Sequence, residues 1–171
     1  MNKLEKFFKE INTDLEQELG KVDYFGTPSA AEEASWVIWD RKRIKEVINT
    51  QMWVFTPEKK DYRLMFSILG EDTVGLQYIE VFKEGKGMGT TILNIILDAA
   101  DKYGVTIDVF ASPFKCKYGN VPVNLIQRFM YKSMMKDTLR LINWYRDFDF
   151  VSTNKKEPFR MQYKVTKELA A

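Results

Sequence analysis

The segment YIEVFKEGKGMGTTILNIIL, residues 78–97, constrains the fold more than any other stretch of the chain. At its front, residues 74–82 have the β-branched and aromatic character of a strand; at its back, Ile92, Ile95, Ile96 and Ala99 recur at helical steps. Between the two periods stand Gly85, Gly87 and Gly89, at alternate positions. A strand that passes through bare backbone into a helix start aims several N–H groups and the positive end of the helix dipole at one point, which suits an anion. Tight turns also use glycine, so the flanking elements must decide between a binding loop and a bend.

Upstream, Leu4, Phe7, Phe8, Ile11, Leu15 and Leu19 predict an amphipathic helix over residues 2–19, with Gly20 ending it. The YFGTPS stretch reads as a turn, with Thr27 capping a second helix that runs towards Thr50. The period then shortens. Residues 52–56, 62–69 and 74–82 predict an antiparallel meander, with GEDT as the last hairpin turn. After the glycine loop and its helix, Val105, Ile107, Val109 and Ala111 alternate as a strand. Residues 113–136 are too long for an unstructured loop and suggest an inserted helical segment; Leu139, Ile142 and Trp144 or Tyr145 suggest a further helix. DFDFVST and FRMQYKVT close the chain as strands.

Composition narrows the chemistry. At 171 residues the chain suits a single domain, residues 1–171, with an N-terminal helical part over about 1–50. The apolar runs fall short of the roughly 20 residues that span a bilayer and no secretory h-region is present, so a cytoplasmic protein without a membrane partner is expected. Histidine is absent and Cys116 is the one cysteine, which rules out zinc chemistry, a histidine general base and an internal disulfide. No metal is expected. The charge is uneven: residues 113–167 carry 12 Lys and Arg against 4 Asp and Glu, within a net charge of +2. A basic C-terminal third can attract an anionic ligand or form an ordinary solvated face.

Three anion chemistries use a glycine loop at a helix start. A nucleoside-triphosphate P-loop needs Gly-Lys-Ser/Thr, whereas Gly89 is followed directly by Thr90. A dinucleotide fold needs G-x-G-x-x-G after a parallel strand, whereas this loop is G-x-G-x-G after a meander. The third is an acyl-coenzyme A loop, and here YIEVFKEGKGMGTTILNIIL resembles the central motif of the GNAT superfamily of acyl-CoA N-acyltransferases, with Gly87 and Gly89 on its two glycines. LINWYRDFDFV is similar to the family's aromatic-Tyr, three residues, Gly-Phe segment, with Tyr145 on the tyrosine and Phe150 on the phenylalanine. Glu84 stands where the family has Gln or Arg, and Asp149 where it has glycine. The resemblance covers roughly residues 52–165.

It implies an α+β fold: a GNAT-like central mixed, mostly antiparallel twisted sheet flanked by helices. It implies that pantetheine pairs with backbone near Ile79 and Val81, and that amides of Lys86, Gly87, Met88, Gly89 and Thr90 take the pyrophosphate. It puts Tyr145 in the role of acid for the departing thiolate; Glu80, a charge in an apolar strand, is the candidate base. Both have plainer readings, Glu80 as a solvent-facing or paired strand residue and Tyr145 as helix packing. The expected function is transfer of an acetyl or other acyl group from acetyl-CoA, as co-substrate, to a small-molecule or peptide amine by direct attack, in a monomer or homodimer. The alternative is a catalytically weak GNAT-fold interaction protein whose basic C-terminal third binds a protein or, less favoured, a nucleic acid.

Overall fold

The computed structural model describes residues 2–27, 52–82, 87–111 and 138–165. Helix α1 (Lys3–Leu19) begins with a reciprocal cap: the Asn2 side chain accepts from the Glu5 N–H at 2.8 Å and Glu5 accepts from the Asn2 N–H at 3.0 Å. It ends at Gly20, whose φ of 95° only glycine adopts freely. The predicted stripe is the buried one. Leu4, Phe7, Phe8, Ile11 and Leu15 are all in the core, each worth roughly 1.5–3 kcal/mol of apolar burial.

Among the described residues, seven strands form one sheet in the order β1-β2-β3-β4-β5-β7-β6. They are β1 (Val22–Thr27), β2 (Met52–Pro57), β3 (Tyr62–Ile68), β4 (Thr73–Val81), β5 (Thr106–Phe110), β6 (Val151–Ser152) and β7 (Arg160–Tyr163). Helix α2 (Met88–Tyr103) lies between β4 and β5, and a helix at residues 138–147, α3, precedes β6. Every neighbouring pair is antiparallel except β4 and β5. The architecture is therefore α+β, with a mostly antiparallel mixed sheet and the GNAT-like element order. The meander, the helix after the glycines and the closing hairpin fall where their periodicities put them.

One element differs. Residues 22–27 form strand β1, paired with β2 from Val22 opposite Pro57 to Thr27 opposite Met52, where the turn of YFGTPS and a helix cap at Thr27 were expected. Gly26 and the following proline favour a turn locally, but the neighbouring β2 edge supplies a ladder, and Tyr24 stacks on Phe55 with ring centroids 5.3 Å apart. Tertiary pairing outweighs local preference here. The helix predicted up to Thr50 and the insertion at 113–136 lie outside the described residues.

The core lies between the sheet and α1, α2 and α3. Phe8 stacks on Trp53 at 5.0 Å and packs edge-on against Phe66 at 5.4 Å, so α1 is keyed to β2 and β3 by aromatic faces. Helix α2 is tied to α1 by Lys102 and Tyr103, both bonded to Glu10, and to β7 by the Tyr163 hydroxyl donating to Asp101 at 2.6 Å. Among the described residues, no helix is long and apolar enough to cross a membrane, and no group of side chains is arranged to hold a metal.

Candidate functional site

The strands β4 and β5 create the site by ceasing to pair. Their parallel ladder runs from Thr73 opposite Thr106 to Leu76 opposite Val109 and stops there, while β4 continues to Val81. Just beyond the last pair, β4 carries an extra residue: Met65 opposes Tyr78 and Phe66 opposes Leu76, so Gln77 has no counterpart on β3. A bulge bends the strand that contains it and increases its local twist. Residues 77–81 thus extend past the end of the β5 pairing and lead towards the start of α2.

Helix α2 starts from bare backbone. Gly87 is the N-cap, at φ 67°, a left-handed conformation for which glycine carries no steric cost. Among the described residues no side chain caps the helix, and no acidic residue lies in its first turn. The Gly87 carbonyl accepts from the Thr91 N–H at 3.0 Å and the Thr91 hydroxyl at 3.1 Å, which fixes the turn while the N–H groups of Met88, Gly89 and Thr90 have no partner within the helix. A Cβ on Gly87 would meet nothing within 4 Å. One on Gly89 would rest 3.8 Å from Val81 Cγ2 and 3.9 Å from Trp144 Cζ2, at ordinary contact distance. The protein's own packing therefore does not demand glycine at 89.

These contacts join the two sequence motifs in space: the end of β4, the start of α2 and the aromatic pair of α3 meet at Val81, Gly89 and Trp144. Ile79 and Val81 are half-buried with side chains packed on the core, Met88 is half-buried against the same core, and Thr90 is exposed. Lys86 and Glu84 lie outside the described residues, as does Cys116. Trp144 is the residue of this corner that was not singled out as a site residue; its place as the aromatic partner of Tyr145 was the available signal.

Tyr145 is 4% exposed, packed edge-on against Trp144 at 5.0 Å and Phe150 at 5.1 Å. Burial pushes its phenol well above the ordinary value, so it stays protonated. Phe150 in turn touches Tyr163, which bonds α2, so Tyr145 lies on the α2 side of the sheet. Glu80 takes the other side: it alternates with Ile79 and Val81 and stands in register opposite Arg63. It is half-buried, with Oε2 shielded from solvent and without a hydrogen-bond partner. The two candidate catalytic groups therefore flank the sheet from opposite faces.

Asp149 explains its own departure from the motif. Its φ is 69°, so the backbone keeps the glycine-like conformation although the side chain is aspartate. Asp and Asn tolerate that region better than other residues with a Cβ.

No family model matches this chain, and no curated protein matches it. Among solved structures it is similar to the crystal structure of the anti-CRISPR protein AcrVA5, at 20% identity and a TM-score of 0.42, over 61% of this chain and 90% of that one. A likeness of that size carries no argument about activity.

Proposed function

We propose that the protein is an acyl-CoA-dependent N-acyltransferase, moving an acetyl or similarly small acyl group to an amine. The observation that carries this reading is the end of β4–β5 pairing at Leu76 and Val109, with the β4 extension leading to an uncapped, acid-free helix start at Gly87. An extended pantetheine arm, with its two amides, fits beside unpaired strand backbone; a pyrophosphate fits a helix N-terminus with a left-handed N-cap. One feature without the other would suit many ligands, whereas their succession along one strand suits a molecule with both parts.

The chemistry assigned to the side chains follows from their sides. The amine must lose a proton, attack the thioester carbonyl and release a thiolate that takes one up. Glu80, on the face away from α2, accepts the amine's proton; Tyr145, neutral on the other face, supplies one to the sulfur. In this reading both groups reach one carbonyl held where the β4–β5 pairing ends, and serve a single direct attack with no acyl-enzyme.

Calorimetry with acetyl-CoA tests the reading. Binding is expected, followed by release of free thiol with a responsive amine; absence of heat at about 1 mM coenzyme, where even a weak site of about −4 kcal/mol would be half filled, refutes it.

A further inference from the structure

On the face of the sheet away from α2, three residues make a small polar knot beside the point where β4 and β5 part. The Gln77 Nε2 donates to the Ser67 Oγ at 2.8 Å, and Ser67 is only 3% exposed. Both side chains lie over Gly75. A Cβ there would stand 2.6 Å from the Ser67 oxygen and 3.2 Å from the Gln77 nitrogen, the first closer than real Cβ contacts come. Gly75 and Leu76 are also the last β4 residues that pair with β5.

Gln77 is the extra residue of the bulge, and hydrophobic pattern alone does not choose it. Leu76 and Ile79 both face the core, and Leu64 and Phe66 oppose Ile79 and Leu76. Between those two fixed points β4 has two residues and β3 has one, so either Gln77 or Tyr78 could be the one left over with the flanking pairs kept. The hydrogen bond from Gln77 to a hydroxyl removed from water favours the arrangement seen, because the buried Ser67 would otherwise lose this partner.

We propose that Ser67, Gly75 and Gln77 act as a pin that selects the bulge register and so sets the opening between β4 and β5, with Ser67 and Gln77 as positioning residues for the coenzyme arm. The positioning role rests on the acyl-CoA reading above; the pin itself does not. Glycine at 75 is part of the device, since any side chain there displaces the Ser67 hydroxyl.

The test uses the full chain with Ser67→Ala, Gln77→Ala and the double variant. Amide exchange followed by NMR should be at least about tenfold faster at residues 76–79 in either single variant, no faster still in the double, and unchanged in β1 and β2. The same variants should weaken CoA binding about 5- to 20-fold by calorimetry without a matching loss of thermal stability. Gly75→Ala should behave like Ser67→Ala, and adding Ser67→Ala to it should cost little more, since the clashing hydroxyl is then gone. Unchanged exchange in both single variants overturns the pin whatever the ligand. A wild type that binds CoA, with both variants within about twofold of it, overturns the positioning role. A wild type that binds no CoA refutes the proposed function and the positioning role with it, while exchange still decides the pin.

Discussion

Replacing Gly89 by alanine separates what the fold wants at this position from what a ligand wants. Gly89 is the second residue of α2 and is not among the positive-φ glycines, so alanine can adopt its backbone. Its Cβ would sit at 3.8 Å and 3.9 Å from Val81 and Trp144, close enough for dispersion and too far for a clash. Alanine is preferred over glycine in a helix by about 0.8–1.0 kcal/mol, and a first-turn position should realise roughly half of that or more. The free protein should therefore gain about 0.5–1 kcal/mol, raising Tm by about 1–4 °C for a chain of this size. Coenzyme binding should move the other way, because the added methyl stands where a pyrophosphate must approach the first-turn amides. A loss of at least about tenfold in Kd, or about 1.4 kcal/mol, is expected. Circular dichroism melts and calorimetry with CoA read the two effects separately. A variant that binds CoA as tightly as wild type refutes the pyrophosphate assignment; a variant less stable than wild type refutes the account of open packing around Gly89.

Three further outcomes follow from the same geometry. Tyr145→Phe should leave coenzyme affinity within about threefold while lowering kcat about 100-fold or more, the usual reach of a general acid; an unchanged kcat would make Tyr145 a packing residue only. Tyr62, Tyr145 and Tyr163 all hold their phenol protons above the ordinary value of 10.0, burial being the main cause in each. The folded state thus binds these protons more tightly than the unfolded one, so their contribution is full below pH 10 and is lost as pH rises beyond it; urea midpoints that stay flat from pH 9 to 11.5 would contradict this. Asp149→Gly should stabilise by about 0.5–1 kcal/mol, because glycine adopts φ 69° without strain, and a lower urea midpoint would show that the aspartate side chain makes a compensating bond.

Much of this protein is legible in its sequence because much of it is local. The α1 stripe, the Gly20 and Gly104 stops and the alternation in β2 through β5 each repeat within one element, and the burial of Phe7, Phe8, Ile92 and Ile96 follows from that repeat. The positive φ at Gly87 was equally foreseeable, since three alternate glycines between a strand and a helix leave few other uses. Absence of histidine likewise restricts proton transfer to Asp, Glu, Tyr, Lys, Cys or water.

Other features are properties of pairs and could not be read along the chain. Strand β1 exists because β2 offers it an edge, and its own residues read as a turn. The end of β4–β5 pairing depends on how far two parallel strands, separated by α2, stay in register before the bulge at Gln77 bends one of them. Glu80 and Tyr145 were chosen by residue type and motif, but their positions on opposite faces come from strand alternation combined with the side on which α3 packs. Periodicity determined which residues are buried and where strand gives way to the glycine-rich loop and helix α2. Only the tertiary structure decided that β4 runs on past its last pairing with β5, because that end of pairing is set by two segments distant in sequence.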